Sequence, residues 1–191
     1  MTSDNNSTSR LRESALDARR ALSDEVRDNA SAKICDRVLH SHEFMSCKTI
    51  ACYLPGNDEV DPIAIIKRAW RAKKRIFVPV TDMRGNMIFR QLTPDTELAM
   101  TRFGLWEPIS GPTISAKAID VVITPLVAFD DERHRIGMGG GYFDRCFYFL
   151  KQRKNWLRPK LIGIAFDCQK VEKIVPNPWD IPLYRIVTEI N

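Results

Sequence analysis

Four glycines fall within five positions in the stretch RIGMGGGYFDR, residues 135–145, between Arg135 and the run Tyr142, Phe143, Asp144, Arg145. Glycine tolerates positive φ and removes the Cβ atoms that would hold a ligand away from the main chain, while a helix start presents amides that its own turns leave unsatisfied. A turn of this kind cradles phosphate groups with backbone N–H. Arg135 and Arg145 can add charge-assisted bonds, and Asp144, in the first turn of the helix that follows, can reach a magnesium ion shared with those phosphates. The pattern is neither G-x-x-x-x-G-K-[ST] nor G-x-G-x-x-G, because Tyr142 stands where the third glycine of the dinucleotide fingerprint belongs. The plain alternative is a turn chosen for backbone geometry, with Asp144 as an ordinary helix-start carboxylate.

Other chemistries have less behind them. Cys35, Cys47, Cys52, Cys146 and Cys168 are odd in number and form no C-x-x-C pair, which argues against a disulfide framework and a zinc site and for reduced, packed thiols. His40 and His42 lack further ligands at metal spacing, and His134 stands beside the glycine turn. The net charge of +5 comes from basic residues scattered over what read as helix faces, so solvated surface is the default. A polyanionic small molecule would still be drawn in. No apolar run approaches the roughly 20 residues of a membrane span, and the start MTSDNNSTSR lacks the apolar stretch of a secretory signal. These features predict a cytoplasmic protein, with residues 1–8 a disordered leader and 9–191 a single domain.

The elements that must hold the turn follow from periodicity. Two helical segments meet near Ser23, whose hydroxyl can cap the second. TIACYLP reads as a strand, and Asp61 with Pro62 opens a helix that carries Ile63, Ile66, Ala69 and Trp70 on one face. RIFVPV and MIFRQL read as paired strands, residues 93–118 as a long ordered loop, IDVVITPLVAF and KLIGIAF as buried strands, and residues 142–156 as helix-compatible. Alternating strands and helices predict an α/β fold, a three-layer α/β/α domain with a mainly parallel sheet. In such sheets ligands sit at the carboxyl ends of the strands, where the turns at Pro55–Glu59 and Arg135–Gly141 would face one site.

The order of motifs resembles the 5-formyltetrahydrofolate cyclo-ligase (methenyltetrahydrofolate synthetase) family: LRESALDARRALS at 11–23, YLPGNDEVDPIAII at 53–66, FGLWEP at 103–108, PLVAFDDERHRIGMGGGYFDR at 125–145 and IGIAFDCQKVEKIVPNPWDIPLYRIVTE at 162–189. The resemblance implies a ligase using ATP and Mg2+ to close 5-formyltetrahydrofolate into 5,10-methenyltetrahydrofolate through a phosphorylated formyl (imidate) intermediate, releasing ADP and phosphate. By position it implies that Arg135, Ile136, Gly137, Met138, Gly139, Gly140, Gly141, Tyr142 and Phe143 wrap the nucleotide phosphates, with Arg12 and Arg10 from the N-terminal helix. Arg10 is the nearest substitute for a basic residue that the family carries where this chain has Thr8. Met138 to Tyr142 would also touch the folate, together with Leu54, Glu59 and Phe103, and Arg135 and Tyr142 would be catalytic. Asp144 and Asp180 match the family's magnesium carboxylates; from the residues alone Asp180 reads as a loop cap before Pro182 and Glu59 as an exposed acid.

The implied partner is a folate, polyglutamylated or not, bound by a monomer with no nucleic acid and no membrane. Two other classes stay open: another phosphate-ligand enzyme of similar fold, such as a sugar-phosphate isomerase or a CoA-transferase relative, and a basic nucleic-acid-binding protein.

Overall fold

The computed structural model describes residues 2–56, 58–82, 86–101, 104–153 and 158–191, with side chains from residue 7 onward. Helices α1 (Thr2–Arg20) and α2 (Asp24–Leu39) are separated at Ser23, whose hydroxyl accepts the Val26 amide at 3.3 Å, with Asp24 and Glu25 in the first turn of α2. The backbone of α1 is already helical at Thr2, within the stretch that composition marks as a leader. Leu11, Ala15 and Leu16 are its residues in an apolar cluster that anchors the helix.

A single turn, α3 (His42–Ser46), precedes strand β1 (Thr49–Ala51). Helix α4 (Ile63–Arg71) begins as its sequence requires, with Asp61 Oδ1 accepting the Ile63 amide at 2.8 Å. Strands β2 (Arg75–Thr81) and β3 (Met87–Leu92) pair antiparallel. The stretch expected as loop holds a hairpin, β4 (Leu98–Met100) with β5 (Trp106–Pro108), and an edge strand, β6 (Thr113–Ile114), beside β3. Strands of two or three residues are too short to show a period, and their pairing is decided by partners elsewhere in the chain. Strand β7 (Val121–Pro125) is followed by a small hairpin, β8 (Ala128–Phe129) and β9 (Arg135–Ile136). Helix α5 (Tyr142–Phe147), strand β10 (Lys160–Ile164) and strand β11 (Arg185–Val187) complete the order.

The seven-stranded sheet runs β11-β10-β7-β1-β2-β3-β6, parallel from β11 to β2 and antiparallel beyond. Alternate residues feed opposite cores. Ile50, Ile76, Val78, Val121, Ile123 and Ile162 meet α2 and α4 on one face. Ala51, Phe77, Val122 and Leu161 meet Phe147 of α5 and Leu183 of the tail on the other. This is the mainly parallel α/β architecture that the alternation of elements predicts. Among the described residues no helix is long and apolar enough to cross a membrane.

Two buried details brace the segment that leads to the glycine turn. Gly163 in β10 has no room for a side chain, since a Cβ there would lie 2.5 Å from Leu183 Cδ1 and 2.8 Å from Leu126 Cδ2. Asp130, buried in the β8–β9 hairpin, accepts the His134 amide at 2.9 Å, His134 Nδ1 at 3.0 Å and the Ile174 amide at 3.0 Å. Burial pushes its pKa up, but the Ile174 and His134 donors outweigh that effect and hold the carboxyl below its ordinary range.

Gly163→Ala is therefore expected to cost about 1–3 kcal/mol in a thermal melt, whereas Gly137→Ala, which meets open space, should leave the melting temperature within a degree or so. A depressed carboxyl contributes stability above its unfolded pKa and loses it as pH falls through the folded value. Denaturant midpoints taken from about pH 5 downward should fall steeply in the wild type and more gently in Asp130→Asn.

Candidate active site

The glycine turn joins β9 to α5 and is solvent-exposed from Gly137 through Tyr142. Its carbonyls are tied down: Arg12 Nε donates to Gly137 O at 2.9 Å, Arg145 Nη1 to Gly140 O at 2.8 Å, and the Arg145 amide to Gly141 O at 3.0 Å. Its amides are not. Among the described residues no acceptor takes the main-chain N–H of Gly137, Met138, Gly139, Gly140, Gly141 or Tyr142. Gly139 at φ +97 and Gly141 at φ +63 occupy the left-handed region, which a side chain would strain. Successive unpaired N–H groups of this kind form a concave donor surface for an anion. Helix α5 is 6 residues long and passes into a 3-10 turn at Tyr148–Gln152, shorter than the helical stretch expected over 142–156. Anion attraction here therefore rests on the individual amides more than on a helix dipole.

Beneath the turn, Arg135 is almost wholly buried and donates from Nη2 to Asp144 Oδ1 at 2.7 Å and from Nη1 to Ile181 O, with its guanidinium 6.0 Å from the Phe143 ring. The same Oδ1 accepts the Ile181 amide at 3.0 Å. Arg135 thus locks the turn, α5 and the C-terminal tail together. Asp180 directly precedes Ile181, so the main chain at Asp180 is brought close to Asp144, from which it is distant in sequence. Asp180 Oδ2 is held by the Asn177 amide and side chain at 2.7 and 3.2 Å. The other oxygen of each carboxylate has no hydrogen bond among the described residues. Magnesium takes one or two carboxylates and fills its octahedron with phosphate oxygens and water, so this pair fits such an ion. Among the described residues no group of three or more His, Cys, Asp or Glu side chains is placed to hold a metal ion by itself.

Helix α1 spans the distance to the second turn. While Arg12 touches Gly137, Arg20 Nε lies 3.8 Å from Asp58 Oδ2, about 12 Å further along the axis. The Pro55–Glu59 turn is closed by Glu59 itself, whose Oε2 accepts the Gly56 amide at 2.9 Å. Leu54 is half-buried next to it, and Leu105 of the β4–β5 hairpin comes within 4.0 Å of where a Gly56 Cβ would stand. Arg10 is exposed and, two residues before Arg12, is turned about 200° around α1 from it; Phe103 lies outside the described residues.

The remaining candidates serve the fold. His134 completes the Asp130 clasp, and burial pushes the Cys35, Cys47 and Cys146 thiols up to about 11, leaving them poor nucleophiles. Cys168 is exposed, contrary to the expectation of packed thiols, because it stands on the outer side of a 3-10 turn. Sequence reading missed Arg20 and Asp58, which look like ordinary surface charges. It also missed Tyr148 and Trp179, which line a cavity of about 420 Å³ with Gly141, Asp144 and Arg145. Only the spacing of Gly141, Asp144, Arg145 and Tyr148 on one helical face signalled part of that group.

Comparison with known proteins places the chain in a family. The family described as 5-formyltetrahydrofolate cyclo-ligase family matches residues 4–189. The 5-formyltetrahydrofolate cyclo-ligase of Escherichia coli K12 is 37% identical over 176 residues, covering 89% of this chain and 93% of the relative. That of Haemophilus influenzae is 32% identical, covering 83% and 84%. Among solved structures, Aquifex aeolicus 5,10-methenyltetrahydrofolate synthetase superposes with a TM-score of 0.82 at 31% identity, covering 96% of this chain and 90% of that one. A 5,10-methenyltetrahydrofolate synthetase from Mycoplasma pneumoniae gives 0.75 at 26%, covering 95% and 98%. Likeness at this identity, running the length of both partners in sequence and in structure, means that the chain belongs to the 5-formyltetrahydrofolate cyclo-ligase family and is an enzyme of that kind.

Proposed function

We propose that this enzyme converts 5-formyltetrahydrofolate to 5,10-methenyltetrahydrofolate by consuming ATP with Mg2+, and that the exposed, unpartnered amides from Gly137 to Tyr142 receive the nucleotide's phosphates. That row of donors, at the start of the helix that carries Asp144, is the observation that supports the reading. In this scheme the formyl oxygen attacks the γ-phosphorus and the bond to the β-phosphate oxygen breaks, releasing ADP. The neighbouring anilino nitrogen then attacks the imidate carbon and loses its proton. The C–O bond breaks, and phosphate departs with the electron pair.

The residues position and neutralise rather than form covalent bonds with substrate. Arg12, with its Nε fixed on Gly137 O, brings its charge beside the amides, whereas Arg10, two residues earlier, stands on the other side of α1 and would have to reach around it. Arg135 acts through Asp144: it is too deeply engaged to clasp phosphate itself, and it sets the carboxylate's position. Asp144 and Asp180 would hold magnesium, which supplies charge neutralisation on the phosphates when bound. Gly140 lets the Tyr142 ring fold against the turn, where it is capped by Arg145 at 5.0 Å, leaving Tyr142 39% exposed towards a substrate. Glu59 keeps one carboxylate oxygen for the N–H groups of a pterin edge, with Leu54 on its ring face; the family resemblance gives the stacking role to Phe103, which lies outside the described residues. A cytoplasmic setting agrees with the free cysteines.

Pure protein mixed with 5-formyltetrahydrofolate, ATP and magnesium should develop the methenyl absorbance; a folded sample that yields none would overturn the reading. Asp180→Asn, which leaves the Arg135–Asp144 pair intact, should lower magnesium-dependent turnover roughly tenfold to a hundredfold with little change in melting temperature. Asp144→Asn should do the same and also cost about 3–5 kcal/mol of stability, since it leaves Arg135 buried without its counter-charge. Gly140→Val, whose Cβ would sit 2.7 Å from the Tyr142 ring, should raise KM for ATP several-fold in an otherwise stable protein.

A further inference from the structure

Gly141, Asp144, Arg145 and Tyr148 stand at i, i+3, i+4 and i+7 and, with Trp179 from the tail, line the open pocket of about 420 Å³. The lining is polar where Gly141 and Asp144 contribute and aromatic where Tyr148 and Trp179 do. Both rings remain open to solvent, Tyr148 by 48% and Trp179 by 58%, although Trp is a residue that folding normally covers. Trp179 is not loosely attached. Lys151 Nζ donates to Pro178 O, the Asp180 amide donates to Asn177 O at 3.0 Å, and the Ile181 amide is fixed on Asp144, so the segment on both sides of the indole is anchored. An anchored and uncovered aromatic face in the same pocket as a second one is a surface prepared for a flat ring.

From the nucleotide site assigned above, we propose that Trp179, with Tyr148 lining the same pocket, binds the purine ring of that nucleotide by stacking. The distance suits it: Gly141 and Tyr148 are separated by about 10 Å along the helical face, with Asp144 between them. Phosphates at the turn, a metal-bridged segment at Asp144 and a base at Tyr148 follow one another along that face. The pterin is the other flat ring in the reaction, but the Pro55–Glu59 turn that would recognise its edge contributes nothing to this cavity.

The test compares Mg·ATP with Mg·tripolyphosphate, which has the phosphates and no base, by calorimetry on the full chain. Wild type should bind ATP at least tenfold more tightly than tripolyphosphate. Trp179→Ala should weaken ATP about tenfold and leave tripolyphosphate within twofold, and Trp179→Phe should restore most of the loss. Because the indole is largely exposed, a melting curve should show the variants folded. Equal weakening of both ligands, or no weakening of either, would overturn the stacking role while leaving the phosphate site in place. If neither ligand binds wild type, the nucleotide reading falls and the stacking role falls with it.

Discussion

One carboxylate oxygen joins three distant parts of this protein. Asp144 Oδ1 receives Arg135 from the β8–β9 hairpin and the Ile181 amide from the tail, while Asp144 itself belongs to α5. The pair is largely out of water, where an ion pair is strong only if its geometry is complete and its loss leaves an uncompensated charge. Everything near the site inherits its position from this node. It brings the main chain at Asp180 close to Asp144, orients the start of α5, and holds Trp179 at the pocket.

The glycine turn shows how such a frame can present an unsatisfied surface without collapsing onto it. A chain with so many free amides would normally close its own hydrogen bonds. Here two arginines occupy the carbonyls instead, Arg12 from α1 and Arg145 from the following helix, so the donors have no local acceptors and face solvent. Water satisfies them in the free protein, and an anion can replace that water at little reorganisation cost. Helix α1 adds the scale of the site, because one rigid element meets the glycine turn at Arg12 and the Pro55–Glu59 turn at Arg20.

Much of this was legible from residue order. The split at Ser23, the helix opened by Asp61 and Pro62, the β2–β3 pair and the buried strands β7 and β10 all appear as expected, since each carries its own local signal. What failed to appear was non-local. The β4–β5 hairpin and the edge strand β6 have no periodicity of their own, and α5 gives way to a 3-10 turn at Tyr148, where Phe147 has already met its packing partners Phe89 and Phe143.

The sequence by itself determined the layered α/β class, the exposed glycine-rich donor surface and the family, because apolar periodicity, glycine content and motif order are properties of the chain read in one direction. Only the tertiary structure decided that Arg135 serves Asp144 rather than reaching outward, that Arg12 and Arg20 of one helix brace two turns, and that Tyr148 and Trp179 face one cavity. Those outcomes depend on which partner lies within about 3–4 Å in the folded chain, and separation along the sequence carries no information about that distance.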